Sequence, residues 1–301
     1  MSKMKFMYVV AGALGVPVAI TVLALLGLNN GSALQQIAVS AVGVAIFIAI
    51  VSMRPKALSI MRGAPWMLGC FDLAIVGLAL CGIYRMGAAC WLLIGTIPLW
   101  AALLLGRFKL RPISLVISSL WLVALIVCNC LLLSDATRRR NLFASFRGEQ
   151  IEEQTKRAEE QARWKQTMNE AAWFGSTEGK VIQAKRTTHS VVQLVDASQR
   201  HGKWFPLTLC TLFLTLSAIM VVPLFRNHYD CSMRLFGVLA ALWLAAPVLV
   251  TVSAAYMVVP TANIPIPFVT CGFETVFAWV VIAVGVAWQH AGRERTPVDG
   301  F

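Results

Sequence analysis

Residues 33–53 read ALQQIAVSAVGVAIFIAIVSM, twenty-one positions without one charged side chain. A helix of roughly 20 residues crosses the hydrocarbon core of a bilayer, so this stretch reads as a membrane span. Comparable runs lie near 7–27, 66–84, 87–106, 112–134, 204–224, 235–259 and 268–289. In lipid an isolated span satisfies its backbone hydrogen bonds only as a helix. The runs do not alternate in the manner of barrel strands. The fold class that follows is all-α: a polytopic membrane protein with about eight transmembrane helices. Composition agrees, with 58% hydrophobic and 13% charged residues against roughly a quarter charged in soluble domains.

The charges that remain are unevenly placed. Thirteen of the 26 Lys and Arg, and nine of the 14 acids, lie between Asp135 and Lys203. The chain therefore divides into a five-span half (1–134), a charged extramembrane loop (135–203), a three-span half (204–290) and a short tail (291–301). With the N-terminus in the cytoplasm, Lys3, Lys5, Arg54, Lys56, Arg62, Arg107, Lys109, Arg111, Arg226, Arg234, Arg293 and Arg295 all fall inside. Only Arg85 falls in a short outer loop. The positive-inside rule thus predicts cytoplasmic termini and an outward-facing 135–203 loop. The first span is too long for a signal-peptide core and no A-x-A site follows it, so it reads as an uncleaved anchor. A net charge of +12 arranged this way, without zinc spacing or a basic helix with interleaved aromatics, argues against nucleic acid as a partner. The eight cysteines are scattered through or near the spans and imply no disulfide framework.

Within the loop, residues 148–172 (GEQIEEQTKRAEEQARWKQTMNEAA) carry favourably ordered i,i+4 pairs such as Glu152–Lys156 and Glu159–Arg163. A solvated or interfacial helix is expected there. Val191, Val192, Leu194 and Val195, further on, are candidates for a membrane-surface face. Two carboxylates fall inside spans, where charge is costly. Asp72 is expected to reach the nearby inner interface, while Glu274, near an outer end, reads equally as interfacial or functional.

The segment 259–268 (VPTANIPIPF) places three prolines within eight residues between two apolar stretches. Proline cannot continue a helix and has no N–H to donate. Irregular apolar backbone at the membrane suggests a re-entrant or cavity-lining loop. Pro260-Thr261-x-x-Ile264-Pro265-Ile266-Pro267-Phe268-Val269-Thr270-x-Gly272 resembles the hallmark PxTGxPLPFVSYGGSS of the SEDS family, the shape, elongation, division and sporulation proteins of the FtsW, RodA and SpoVE type. Shorter stretches resemble the same family in the same order. Ser52 to Leu58 stands where the family has a basic cytoplasmic turn, and Arg138 to Phe146 opens the outer loop. Trp173-Phe174-Gly175 resembles "GLFGKG", and Arg186 to His189 falls at "ERHTDF".

Members of that family polymerise lipid II into glycan strands. The resemblance implies a bacterial inner-membrane protein handling an undecaprenyl-linked precursor, together with a single-span transpeptidase partner and membrane lipid, and without a cofactor or metal. His189 stands at the family's catalytic aspartate and is the expected general base. Arg138, Arg139, Arg140, Lys185 and Arg186 are the expected cationic surface for pyrophosphate. Pro260, Thr261, Pro265, Pro267, Gly272 and Glu274 complete the expected substrate-binding set. The family has ten spans against about eight here. Three readings stay open on sequence alone: an active glycosyltransferase, a non-catalytic relative that binds lipid-linked intermediates or scaffolds an envelope machine, and a membrane component of a transport or secretion apparatus.

Overall fold

The computed structural model describes residues 3–27, 33–53, 65–81, 86–105, 152–175, 190–226, 231–256, 264–270 and 272–291. Among them are nine α-helices and no strand. They are α1 (Lys3–Gly27), α2 (Ala33–Met53), α3 (Pro65–Leu80), α4 (Met86–Leu105), α5 (Glu152–Glu170), α6 (Ser190–His201), α7 (Trp204–Arg226), α8 (Cys231–Ala255) and α9 (Phe273–Ala291). Four of these, α1, α2, α7 and α8, contain stretches long and apolar enough to cross a membrane. Shorter apolar segments run through α3 (Leu68–Ala79), α4 (Ala88–Trp100) and α9 (Phe273–Gln289). Seven of the eight expected spans thus fall on helices, and the run at 112–134 lies outside the described residues.

The helix boundaries follow local chemistry. No Pro or Gly stands between Cys231 and Arg234, and α8 begins there, four residues before the apolar run. The last helix does the reverse. Its apolar run starts at Phe268, yet α9 begins only at Phe273, because Pro265 and Pro267 bring no backbone N–H to a helix and Phe268 adopts a positive φ of 67°.

Hydrophobicity gives little drive between helices already in lipid, so close van der Waals packing has to hold them. Small residues supply it. Gly43 of α2 lies against the Trp279 indole of α9, where a Cβ would collide with the ring. Phe47 meets Trp279 edge-on at 5.6 Å. A Cβ on Gly95 of α4 would lie 2.6 Å from Trp243 of α8. Around it the rings form a seam: Trp91 stacks with Trp243 at 6.3 Å, Trp243 meets Phe277 edge-on, and Phe71 stacks on Phe277. The Trp243 indole N–H also donates to the Trp91 carbonyl at 2.9 Å. One aromatic seam therefore ties α3, α4, α8 and α9 together.

Asp72 is held inside the protein. It is buried between α3 and α4, where one carboxylate oxygen accepts from the Trp100 indole N–H at 2.8 Å. A donor from the neighbouring helix replaces the water that Asp72 was expected to seek. The charged helix forms inside its expected bounds as α5. Of the expected surface residues of α6, Val191 and Val195 are buried against Met168 of α5 and Ala254 and Ala255 of α8, and Leu194 is buried in the main core, whereas Val192 is half-buried.

Gly43 gives a direct check on this packing. Gly43→Val should displace the Trp279 indole and destabilise the protein by about 1–3 kcal/mol, the usual range for overpacking. A clearly lowered thermal midpoint in detergent is expected, and an unchanged midpoint would contradict the contact.

Candidate functional site

The end of the bundle where α2 and α9 begin is assembled around residues 264–275. Ile266, Pro267, Phe268 and Val269 are buried there, so each polar backbone group of this irregular stretch needs a partner from the protein. The Val269 and Thr270 N–H groups both donate to the Ile266 carbonyl, at 3.1 and 2.9 Å. The Phe268 N–H donates to the Thr275 hydroxyl at 3.0 Å. That hydroxyl in turn donates to the Thr270 carbonyl at 2.9 Å. Together these bonds fold the segment into a tight reversal that runs into the first turn of α9.

From across the bundle, Gln36 of α2 completes the reversal. Its side-chain amide donates to the Phe268 carbonyl at 2.9 Å and lies 3.4 Å from the Val269 carbonyl. Gln36 is itself buried. The Phe268 ring points into the core between Phe213 of α7 and Trp279 of α9, with centroids at 6.4 and 5.5 Å. A non-glycine residue at positive φ is disfavoured, and burial of the ring and the two hydrogen bonds to its N–H and carbonyl hold it there.

Glu274 sits in the first turn of α9, where the helix dipole favours a negative charge. It is buried, and the Thr270 hydroxyl lies 2.7 Å from its Oε1. A Cβ on Gly272 would collide with this carboxylate, so glycine there keeps room for it.

A second carboxylate belongs to α6. Asp196 is buried and forms a two-pronged pair with Arg200, at 2.9 Å to Nη2 and 3.1 Å to Nε. Burial raises its pKa above the ordinary carboxylate value, and the nearby Arg200 and His201 only lessen the rise. The Arg200 side chain is 37% exposed. The pair therefore presents a guanidinium whose orientation is fixed from behind by a buried acid.

Of the expected site residues, Pro265, Pro267, Gly272 and Glu274 come together in this one turn. Pro260, Thr261, Arg138, Arg139, Arg140, Lys185, Arg186 and His189 lie outside the described residues. Sequence reasoning missed Gln36 and the burial of Asp196. The Gln35-Gln36 pair at the head of an apolar run was the available signal for the first. Spacing held no signal for the second. Among the described residues no group of three or more His, Cys, Asp or Glu is placed to hold a metal ion.

No family model matches this chain, and no curated protein does. A solved structure, described as showing the structural coordination of polymerization and crosslinking by a peptidoglycan synthase complex, contains a chain of similar fold. The TM-score is 0.60 at 16% identity, over 95% of this chain and 98% of that one. At that identity the likeness speaks for the fold.

Gln36 yields the sharpest test of the site. Gln36→Leu removes a buried donor from the Phe268 carbonyl and should cost about 1–3 kcal/mol. Hydrogen exchange at the Phe268 amide should accelerate, because the turn loses its anchor to α2. Unchanged exchange and an unchanged thermal midpoint would show that the turn stands without Gln36.

Proposed function

We propose that this chain is a SEDS-like cell-wall protein that handles or polymerises a polyprenyl-linked sugar precursor of the lipid II type. It would do so at the outer face of the bacterial inner membrane. The observation that carries the reading is the turn before α9, whose Ile266–Val269 stretch and Glu274 are buried at one end of the bundle and whose Phe268 carbonyl is hydrogen-bonded to Gln36 of α2. This is the segment whose residues resemble the SEDS hallmark. The fold likeness to a chain of a peptidoglycan synthase complex over nearly the whole length supports the same reading. It also motivates the partner, a single-span transpeptidase.

In this reading the chain crosses the membrane eight times with both termini inside. The 135–203 segment, which contains α5 and α6, faces outward above the turn. Arg138, Arg139, Arg140, Lys185 and Arg186 take the pyrophosphate, because guanidinium groups bind phosphate oxygens through paired, charge-assisted hydrogen bonds and the Lys ammonium binds them as a point charge. His189, the residue before α6, accepts the proton of the attacking sugar hydroxyl. A neutral imidazole is suited to that role near pH 7. Pro260, Thr261, Pro265, Pro267, Gly272 and Glu274 shape the wall along which the carrier lies.

The non-catalytic alternative has an observation of its own: a histidine where the resembled family has its catalytic aspartate. A protein of that kind would bind the lipid-linked precursor, or scaffold the envelope machine, without polymerising it. A place in a transport or secretion apparatus is the other alternative, with α5 as the docking element.

Purified protein, alone and with a candidate transpeptidase, given labelled lipid II separates these. Glycan polymer that is lost in His189→Ala supports the polymerase. No polymer under conditions where an active relative makes it ends the catalytic reading. Co-purification with secretion subunits and no bound lipid-linked precursor favours the apparatus.

A further inference from the structure

The short segment after α5 exposes two large aromatic side chains that the site does not use. Trp173 is 63% exposed and Phe174 78%. They do not belong to a span, so a lipid-facing helix surface does not account for them. Their position is nonetheless fixed by a span. The Lys203 N–H donates to the Ala172 carbonyl at 2.9 Å, the Trp204 N–H to the Trp173 carbonyl at 3.3 Å, and the Gly175 N–H to the His201 carbonyl at 3.0 Å. Residues 172–175 thus run beside 201–204 and are tied to them backbone to backbone.

Gly202 makes this approach possible. It has a φ of +100°, and a Cβ there would lie 2.6 Å from the Trp173 carbonyl oxygen. Any side chain would push the two segments apart.

Trp204 is the first residue of the apolar stretch Trp204–Leu224, 21 residues long. At 1.5 Å per residue that is about 31 Å of helix, which matches the roughly 30 Å hydrocarbon core. Trp204 therefore marks one membrane boundary. Trp173, bonded to it through the main chain, stands at the same depth. The side-chain chemistry fits that depth. Trp is enriched at the headgroup level because its ring is apolar with one polar edge. The Lys203 ammonium lies 5.8 Å from the Trp173 ring centroid and donates to the Asn169 carbonyl at 2.7 Å, holding a cation beside the Trp173 ring. Phe273, the first residue of α9, is also an exposed aromatic, at 62%.

We infer that Trp173 and Phe174 insert into the phospholipid interface of the leaflet that α7 enters at Trp204, and so anchor the base of α5 to the membrane. The ligand is phospholipid at the boundary of headgroup and acyl chain, contacted by both rings with Lys203 toward the headgroups. The inference rests on α7 being a span and is independent of any activity toward cell-wall precursors.

The test places the photo-crosslinker p-benzoylphenylalanine at Phe174 in the full chain. The chain is reconstituted in vesicles of phosphatidylethanolamine and phosphatidylglycerol, irradiated and weighed intact. The same probe at Leu214, exposed near the middle of α7, reports contact with the acyl region. The expected result is a mass increase of one phospholipid at position 174, in a yield comparable to that at Leu214. An adduct at Leu214 with none at position 174 would overturn the inference. So would irradiation in native membranes that joins position 174 to a polypeptide in place of lipid, because a protein partner would then be the occupant.

Discussion

A chain that reverses direction at the end of a membrane bundle has to hydrogen-bond its own irregular backbone, because lipid offers no substitute for water. Residues 264–272 meet that demand with a small set of side chains. Thr270 and Thr275 serve the turn locally, and Gln36 reaches it from a helix more than two hundred residues earlier in the chain. The start of α9, the burial of Phe268 at positive φ and the placement of Glu274 all depend on this arrangement. So does the contact between α2 and α9, which continues below it through Gly43, Phe47 and Trp279. The second and the last helices of the described chain, α2 and α9, are joined in this way, and the apolar segment between Ile264 and Thr270 becomes a fixed wall.

Much of the architecture was legible in the sequence because the signal for a span is long and one-dimensional. Twenty uncharged residues leave few alternatives, and α1, α2 and α7 fall where their runs predict. The end of the last helix that faces the turn was harder. Hydropathy counts Phe268 and Val269 as the opening of a span, whereas backbone donors missing at Pro265 and Pro267 delay the helix to Phe273. Hydropathy also misplaces single polar residues. Asp72 reads as a carboxylate seeking the interface until Trp100, 28 positions away, supplies the donor. Val191 and Val195 read as a lipid face until α5 and α8 cover them.

The site was legible only where residues adjacent in sequence form it. Pro265, Pro267, Gly272 and Glu274 are close in the chain and close in space. Gln36 comes from another helix and no local spacing marks it, whereas Asp196 and Arg200 stand at i,i+4 and only the burial of the acid escapes the spacing. Asp196 offers a particular lesson. Its sequence neighbours make it one of several loop carboxylates, and only packing against the helices makes it a buried acid that orients an arginine. The fold likeness to a chain of a peptidoglycan synthase complex and the resemblance of the proline-rich turn to one family's hallmark are separate observations. The first concerns the path of the whole chain, the second a dozen residues.

The central claim is that this turn, held by Gln36, forms the wall against which a polyprenyl-linked sugar precursor binds. Native mass spectrometry of the purified protein with a lipid II-type precursor tests it most directly. The account predicts a bound precursor on the wild-type chain that is lost or strongly reduced in Gln36→Leu and in Glu274→Gln, with both variants still folded. A folded wild-type protein that takes up no precursor, or variants that bind it as well as the wild type, would contradict it.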